Sequence, residues 1–451
     1  MREAFARLWH LSGCLWLDSA TIGPEREAET IGRFSFLTAD PLRVLKASVG
    51  ECSPWPTLQR WVESLPDCYD PSLPPFQGGI AGLIGYESAS WLEPVGLART
   101  NDLPTSAMVL GVYDWTLAKD HQNGKAWLIC QQMDNDYWQT DCDPERRADQ
   151  IQALLSGEPT EQRLDPPASK TTIQDQYSTE HDGVTSNFSG KGFRARVAEI
   201  VRRICDGDSF QVNIAQRLLC KASCDSRELY LRLRDQNPAP FGGYFGGDDF
   251  QVLSSSPEGF LTVRDRIVQT RPIKGTIHRT GDPAQDEQLA QQLSDSEKDR
   301  AENIMIVDLL RNDLSRVCED NSVVVQQLCE VESYQYVQHL VSVVEGKLRE
   351  DQSIVDLLMA CFPGGSITGA PKIEAMRTIA DLEPNQRGPY CGTLGYIGCG
   401  GQADFNILIR TITAAHGHWQ IPVGGGITAK SNPAAEEAET WNKAEGMLRA
   451  I

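Results

Sequence analysis

The chain has 451 residues, of which 40% are hydrophobic and 23% are charged. At roughly 150 residues per domain, this length predicts two or three units with a sizeable core, and the composition excludes a disordered chain. The formal net charge of −20 would repel a phosphate backbone, so we expect no nucleic-acid partner.

The cysteines and the hydrophobicity pattern indicate where in the cell the protein is located. The thirteen cysteines are scattered without a CxxC pair, which favours free thiols in a reducing cytoplasm over a zinc or iron–sulfur site. Polar residues interrupt the apolar stretch at 1–17, and no small-residue cleavage pattern follows it. No window holds the ~20 apolar residues that a membrane span requires. We therefore predict a cytoplasmic protein with neither a signal peptide nor a membrane partner.

Three regions are predicted along the chain. Residues 1–155 have short β-like runs at 108–113 and 126–130, as expected of an antiparallel sheet with helices attached. Residues 156–189 are rich in Ser, Thr, Asp, Gln and Pro and lack apolar periodicity, which indicates a surface linker. Residues 190–451 form the third region, which contains most of the candidate chemistry.

The third region has a mixed pattern without regular βαβ alternation, which indicates an α+β fold. Its periodicity and end signals predict, in order, a helix at 192–203, a strand at 210–219, helices at 299–314 and 371–382, strands within 396–426, and a helix at 433–451.

The last helix has a charged stripe. Asn432 is a good N-cap and Pro433 suits the first helical position, which fixes the phase of the helix. Glu436, Glu439 and Lys443 then lie three and four residues apart and share one face. An isolated pattern of this kind is more often a solvated face than a site.

The helix at 299–314 repeats the pattern, because Asp299 and Glu302 are also three residues apart. If these carboxylates faced Glu436 and Glu439, their mutual repulsion would favour a cation between them, and carboxylate oxygens with waters suit Mg²⁺. Spacing alone leaves open whether the two pairs meet.

Two glycine-rich segments suit an anionic ligand. The run 424–426 precedes the last helix and can turn several backbone N–H groups toward one anion, although a tight structural turn is an equal alternative. The segment 363–372 also brings glycine and hydroxyl groups to a helix start. It lacks the spacing of a phosphate loop, which disfavours nucleotide binding.

Two further residues have reactive side chains in constrained settings. Lys274 lies between Pro272 and Gly275, so its amine could be held in one place and activated by burial or by a nearby cation. Glu258 could act as a general acid if apolar surroundings kept it protonated. A lone lysine is usually a solvated surface group, and a lone glutamate is more often structural.

The wording and order of these motifs resemble the chorismate-utilising enzymes. The resemblance covers nearly the whole chain and is carried by FQGGIAGLIGYES, GDSFQVNIAQR, SSSPEGF, TRPIKGT, DRAENIMIVDLLRNDLSRV, HLV, FPGGSITGAPK, GTLGYIG, IRT, GGGI and EAETWNKA. It implies two facing antiparallel β-sheets with outer helices.

The resemblance also implies a reaction. Members that aminate chorismate to 4-amino-4-deoxychorismate, the precursor of p-aminobenzoate and folate, carry PIKGT, whereas anthranilate-forming members typically carry PIAGT; this chain has Lys274. Members that use water as the nucleophile have a lysine at the position of Gln211. By resemblance, Lys274 is the covalent nucleophile and Glu258 the acid for the departing hydroxyl.

Further site residues follow from the same resemblance. Glu302 and Glu439 are expected to bind Mg²⁺ directly, and Asp299 and Glu436 through its waters. The expected chorismate contacts are Gly275, Thr276, His339, Ser366, Tyr396, Arg410, Gly425, Gly426 and Lys443.

Two partners are expected. Because the chain lacks the GxCxGxQ motif of a class I glutaminase, a separate glutamine amidotransferase subunit is expected to supply ammonia. The chain also resembles the family's tryptophan-binding segments, and a structural, regulatory or lost role for that site stays open. The residues concerned are Ser19, Ile31, Gly32, Arg33, Phe34, Pro240, Phe241 and Gly242.

Two alternatives to chorismate amination remain. One is the large subunit of an anthranilate synthase, which would release pyruvate and would not need Lys274. The other is a non-catalytic tryptophan-binding subunit, which the presence of Glu258, Lys274, Glu302 and Glu439 disfavours.

Overall fold

A computed structural model describes residues 1–20, 31–133, 135, 137–138, 143–159, 172–334 and 337–451. Its α-helices are α1 (Arg2–Leu8), α2 (Trp55–Glu63), α3 (Pro144–Ser156), α4 (Gly190–Cys205), α5 (Ser226–Gln236), α6 (Pro283–Ser294), α7 (Glu297–Ser315), α8 (Ile354–Cys361), α9 (Lys372–Leu382) and α10 (Pro433–Leu448). Short 3-10 helices lie at Tyr86–Trp91 and Gly365–Ile367.

The strands fall in two groups along the chain. Those before α5 are β1 (Leu15–Asp18), β2 (Phe34–Thr38), β3 (Arg43–Ala47), β4 (Gly79–Ile84), β5 (Met108–Tyr113), β6 (Trp115–Asp120), β7 (Ala126–Cys130), β8 (Tyr177–Ser178), β9 (Thr185–Ser186) and β10 (Gln211–Lys221). Those after α5 are β11 (Gly242–Gly246), β12 (Phe250–Ser254), β13 (Gly259–Arg264), β14 (Ile267–Thr270), β15 (Ile273–His278), β16 (Val324–Ser333), β17 (Val337–Lys347), β18 (Gly369–Ala370), β19 (Thr393–Gly398), β20 (Ala403–Asn406), β21 (Thr411–Ala415) and β22 (His418–Ile427).

These strands form two large sheets. The first has the order β7-β6-β2-β1-β11-β12-β21-β22-β10-β9-β8, with β18 also beside β10. The second has the order β15-β17-β14-β13-β20-β19-β4-β5-β3, with β16 beside β17. The ladders are antiparallel, as in the long pairing of β10 with β22. The predicted α+β fold with two antiparallel sheets is confirmed.

Apolar side chains hold the layers together. One core cluster lies between the sheets and combines Phe36 and Phe245 of the first sheet with Leu83 and Leu394 of the second. Helices α1, α5 and α10 cover the outer face of the first sheet, and α2 and α8 pack beside the second. Strand β10 is buried along nearly its whole length because other layers pack against both of its faces.

The predicted regions share both sheets. Strand β1 pairs with β11, and β4 pairs with β19, so each sheet joins a block of strands from 1–155 to a block from 190–451. The boundaries at 155 and 190 therefore do not separate two sheets. They remain a prediction about which part of the chain carries the catalytic residues. Part of the predicted linker, residues 160–171, lies outside the described residues; within its remainder, β8 and β9 extend the edge beside β10.

The observed elements follow the sequence signals closely. Helices α4, α7, α9 and α10 and strands β5, β7 and β10 lie where they are predicted, with ends shifted by a few residues. The cysteines within the described ranges are all free thiols. None of the helices in those ranges is both long and apolar enough to cross a membrane.

Candidate active site

Most of the predicted site residues lie close together where the two sheets adjoin. Strands β15 and β17 form one wall, β10 and β22 form another, and the N-terminal halves of α7 and α10 bring in the carboxylates. Gly275 on β15 lies against Asp299 of α7, and Gly425 on β22 lies against Glu439 of α10. The tertiary fold therefore gathers motifs that are far apart in sequence.

A backbone irregularity sets the direction of Lys274. Lys274 pairs with Leu340 and Thr276 with His339, so Gly275 is an extra residue in β15 and forms a β-bulge. Gly275 has φ +73°, and a Cβ there would approach Leu293 Cδ1 to 2.7 Å. Only glycine fits without strain, which accounts for the glycine after the lysine.

The Lys274 amine lies inside the site. Its Nζ donates a hydrogen bond of 3.4 Å to the backbone oxygen of Ser366. Burial lowers the pKa of Lys274, and the carboxylates of Glu302 and Glu258 oppose that decrease. A lysine with a lowered pKa is more often neutral, and the neutral amine is the nucleophilic form.

Glu258 lies beside this amine, in the loop between β12 and β13, with 4% of its surface exposed. Burial raises the pKa of Glu258 to about 7, while the Ser366 hydroxyl, the Lys274 ammonium and the backbone N–H of Ile273 oppose part of the increase. A carboxyl group with this pKa holds a proton near neutrality and can donate it.

Helix α7 brings the first pair of carboxylates. Ser296 caps the helix by accepting a hydrogen bond from the Asp299 N–H, and its hydroxyl donates to Asp299 Oδ2 at 2.5 Å. Glu302 follows one turn later, and its Oε1 is buried without a hydrogen-bond partner among the described residues. Burial raises the pKa of Glu302, and the charges of Asp299 and Glu436 raise it further.

Helix α10 brings the second pair. The Asn432 side chain accepts hydrogen bonds from the first turn, as the cap prediction requires. Glu436 is buried and accepts a 2.6 Å hydrogen bond from Ser431 Oγ. Glu439 forms a 2.7 Å ion pair with Lys443, whose Nζ also donates to Gly424 O at 2.9 Å.

Gly425 lies among these charges. A Cβ there would be 3.5 Å from Glu439 Oε1, 3.6 Å from Glu436 Oε2 and 3.6 Å from Lys443 Nζ. A side chain at this position would therefore fill the space that the three charged groups surround.

A cation already bridges the two helices. Lys298 Nζ lies 3.9 Å from Glu302 Oε1 and 3.9 Å from Glu436 Oε1. Burial would lower the pKa of Lys298, but the two glutamates outweigh it and the pKa is raised. As arranged, no three His, Cys, Asp or Glu side chains within the described ranges form a ready metal site. The carboxylates do form a region that attracts a cation, and the buried Glu302 Oε1 accepts no hydrogen bond from the described residues.

On the other side of the bulge, Thr276 Oγ1 and His339 Nδ1 are 2.9 Å apart. Burial lowers the pKa of His339 to about 4, and the Arg410 guanidinium contributes to the decrease. His339 is therefore neutral at physiological pH, and Arg410 lies close to it. Thr276, His339 and Arg410 thus form a second, cationic side of the site beside Lys274.

Tyr396 does not join this group. Its ring packs against Phe76, with centroids 4.6 Å apart, and its hydroxyl accepts a hydrogen bond of 3.2 Å from Arg264. Because side chains alternate along β19, this residue faces the core between the sheets. Tyr390 instead lies close enough to Arg410 to influence its pKa. No predicted site residue corresponds to Tyr390, although it precedes the GTLGYIG motif by only a few residues.

Gln211, at the position where members that use water have a lysine, lies on β10 next to Gly426 of β22. Its side chain is buried against Gly426, and neither Nε2 nor Oε1 has a partner among the described residues. Unpaired buried amide groups are costly, so a polar partner at this position would stabilise the side chain.

The predicted tryptophan-binding segments also converge. Ser19 Oγ donates to Phe34 O at 2.8 Å and lies 3.1 Å from Pro240 O, and Gly242 pairs with Asp18. Arg33 faces away, in an ion pair with Asp120 at 2.7 Å. The intervening residues 21–30 lie outside the described part of the chain, and binding of tryptophan stays a prediction.

Comparison with known proteins defines the class. A family model described as chorismate binding enzyme matches residues 13–449. The chain belongs to this family, as the motifs predict. Aminodeoxychorismate synthase component 1 of Klebsiella aerogenes is 38% identical over 426 residues, which cover 94% of this chain and 85% of that protein.

A second set of relatives has a different name. Anthranilate synthase component 1 of Streptomyces coelicolor is also 38% identical, over 390 residues that cover 84% of this chain and 74% of that protein. The crystal structure of anthranilate synthase component I from Streptococcus pneumoniae matches with a TM-score of 0.79 at 30% identity, covering 94% of each chain. Overall identity alone therefore separates the two branches poorly, and individual site residues become important.

Proposed function

We propose that this chain is the chorismate-aminating subunit of an aminodeoxychorismate synthase, which converts chorismate and ammonia to 4-amino-4-deoxychorismate for p-aminobenzoate and folate synthesis. The observation that carries the proposal is the position of Lys274, with its amine half-buried beside Glu258 and hydrogen-bonded to Ser366 O. Relatives named aminodeoxychorismate synthase component 1 match over nearly the whole chain and support it.

The first step uses both reactive groups. The neutral Lys274 amine forms a bond to ring position two of chorismate, both ring double bonds shift by one position, and the carbon–oxygen bond at position four breaks. Glu258 gives its proton to the departing hydroxyl, which leaves as water. The pKa of about 7 for Glu258 and the lowered pKa of Lys274 allow an acid and a free amine to coexist.

The second step reverses the first with a new nucleophile. Ammonia forms a bond to position four, both double bonds shift back, and the bond to Lys274 breaks. The proton that ammonia loses replaces the one that Glu258 gave, so the sum is chorismate plus ammonia to product plus water. Dividing the displacement into two steps is the usual benefit of covalent catalysis.

The carboxylates of α7 and α10 would hold Mg²⁺. Glu302 and Glu439 are the proposed direct ligands, and Asp299 and Glu436 are proposed to act through waters. Their oxygens are the donors that Mg²⁺ prefers, and Glu302 Oε1, which accepts no hydrogen bond from the described residues, fits a cation. When bound, the ion supplies positive charge for the ring carboxylate of the substrate.

Cationic and backbone groups would bind the substrate carboxylates. Arg410, Lys443 and the N–H groups of Gly425 and Gly426 surround the space next to Lys274, and Thr276 and His339 line it. Charge-assisted hydrogen bonds of this type suit a dianion in a protein of net charge −20. Tyr390, close to Arg410, replaces Tyr396 in this proposal.

Two partners complete the proposal. A glutaminase subunit supplies ammonia, in agreement with the component 1 names of the relatives. Tryptophan is proposed to bind near Ser19, Phe34 and Pro240, where the predicted segments meet.

The product distinguishes this function from its alternative. Purified protein is incubated with chorismate, ammonium and Mg²⁺, and small molecules and intact protein are measured by mass spectrometry. We expect aminodeoxychorismate and a transient adduct on Lys274. Anthranilate with pyruvate would place the enzyme in the anthranilate synthase branch, which the equal identity to the S. coelicolor protein keeps as the second candidate.

A further inference from the structure

A second charged cluster lies inside the fold, behind the residues described above. Arg387 and Glu383 are 7% and 4% exposed and form a two-pronged ion pair, with Nε–Oε2 2.9 Å and Nη2–Oε1 2.7 Å. Removing both charges from water is costly, so such a pair needs additional hydrogen bonds.

The additional hydrogen bonds join separate segments. Arg387 Nη1 donates to Ile367 O at 3.1 Å, and Nη2 donates to Asn213 O at 3.2 Å. The Arg387 backbone N–H donates to Glu87 at 2.7 Å, and Glu383 accepts from the Ala215 N–H at 2.8 Å. One guanidinium therefore connects β10 and the loop around Ile367.

Both acceptors adjoin the active site. Ile367 follows Ser366, whose backbone oxygen accepts from Lys274 and whose hydroxyl lies by Glu258. Asn213 lies two residues after Gln211, and its N–H donates to Thr368 O at 2.8 Å. A shift of the Ile367 carbonyl would therefore move Ser366 relative to both reactive groups.

The same guanidinium contacts the opposite side of the site. It lies over the Tyr86 ring, 4.6 Å from the centroid, and 5.9 Å from the centroid of Tyr390. Tyr390 is in turn close to Arg410. Cation–π contacts orient a ring as well as attract it.

We propose that Arg387 is a positioning residue for the amination: it holds the Ser366 loop and the Tyr390 ring together, which fixes the reactive groups relative to the substrate-carboxylate groups. The inference rests on the proposed function. A misplacement of about 1 Å at such a distance from the reaction can reduce turnover by roughly 100-fold.

A simple structural ion pair is the alternative, and the chain contains a matched control. Arg217 and Asp102 are 6% and 4% exposed and form a two-pronged pair at 2.7 and 2.9 Å. Arg217 also lies on β10, but its further side-chain contact is to Gln420 at 3.4 Å, and no described contact joins it to Ser366 or Tyr390. Replacing it disrupts a comparable buried pair, whose link toward the Arg387 segment is the 3.2 Å hydrogen bond that Asn385 donates to Asp102.

The experiment compares Arg387→Lys with Arg217→Lys in the full-length protein. Lysine retains the charge but cannot reach Glu383, Ile367 and Asn213 together. Kinetics with chorismate and ammonium, and thermal unfolding, are measured for both. We expect Arg387→Lys to lower kcat by about 10- to 100-fold with a smaller change in KM, and Arg217→Lys to retain a kcat near that of wild type at a similar Tm.

A chemical rescue gives an independent readout. Millimolar methylguanidinium is added to Arg387→Ala and to Arg217→Ala below any denaturing concentration. Recovery of part of kcat in Arg387→Ala without a matching rise in Tm supports a positioning role, because a guanidinium that only refilled the buried pair would restore Tm and kcat together. If Arg387→Ala does not fold, the lysine variants still decide.

Equal kcat values for the two lysine variants would overturn the positioning role, as would losses that follow Tm equally in both. The wild-type product is measured in the same assay. Failure of wild type to form aminodeoxychorismate would reject the proposed function, whereas normal wild-type amination with an unaffected Arg387→Lys would reject only this inference.

Discussion

Lys274 and Ser366, 92 positions apart in sequence, are joined by a 3.4 Å hydrogen bond from the lysine Nζ to the serine backbone oxygen. The same serine lies beside Glu258, so one residue contacts the amine and the acid. This relationship places the two groups that a covalent amination needs next to each other.

Replacing Lys274 by alanine removes the amine while leaving the carboxylates of α7 and α10 in place. We expect kcat for amination to fall by roughly 100-fold or more, with Mg²⁺ and chorismate still bound. Stopped-flow kinetics and intact-protein mass spectrometry, which should show no adduct, check this. Lys347→Ala is the control, since Lys347 is a half-exposed lysine paired with Glu319 in the same sheet. Normal turnover by Lys274→Ala would contradict the covalent route.

The activity is expected to depend on pH through Glu258. As an acid it must be protonated, and because burial raises its pKa to about 7, turnover should fall as pH rises above about 7. Lys274 must be neutral, so its lowered pKa should give a second limb on which turnover falls as pH decreases. In Glu258→Gln we expect roughly 100-fold slower turnover and loss of the alkaline limb. A pH–rate profile of that variant with the same alkaline limb would assign it to another group.

Glu302→Gln tests the cation site. A neutral amide is a poorer ligand for a hard cation, so we expect weaker Mg²⁺ binding by calorimetry and a higher Mg²⁺ requirement for turnover. Glu297→Gln, on an exposed position of the same helix, is the matched control. Identical Mg²⁺ titrations for Glu302→Gln and Glu297→Gln would refute the assignment of Glu302.

The bulge at Gly275 can be tested against another glycine of similar backbone conformation. Gly275→Ala and Gly281→Ala both place a side chain at positive φ, +73° and +85°, which costs about 1–2 kcal/mol. Only at Gly275 would the new Cβ clash, at 2.7 Å from Leu293 Cδ1 and 3.1 Å from Asp299 Cγ. We expect Gly275→Ala to lose most turnover and Gly281→Ala to keep it, with unfolding measured in urea for both. Equal turnover would show that the bulge does not set the direction of Lys274.

Tyr390 and Tyr396 give opposite expectations. Tyr390→Phe should raise KM for chorismate, because Tyr390 lies beside Arg410. Tyr396→Phe should affect stability more than KM, since its hydroxyl binds Arg264 within the core. Steady-state kinetics and thermal unfolding of the two variants check both statements. A KM effect confined to Tyr396→Phe would restore the original assignment.

The amino-acid sequence alone determined the family, the α+β class and most helix and strand positions. Local signals were sufficient for this, because caps such as Asn432 and Ser296 and the period of apolar residues act within a few positions. The spacing of Glu436 and Glu439 likewise follows from helical geometry.

Only the tertiary structure decided which of these residues meet. The packing of α7 and α10 beside the same strands brings Glu302 and Glu436 to one lysine, Lys298, which spacing within either helix could not show. Strand alternation and burial between the sheets direct Tyr396 into the core, whereas Tyr390 reaches Arg410. The pKa values of Glu258 and Lys274 were also undetermined by sequence, because burial and neighbouring charges arise only when distant segments pack together.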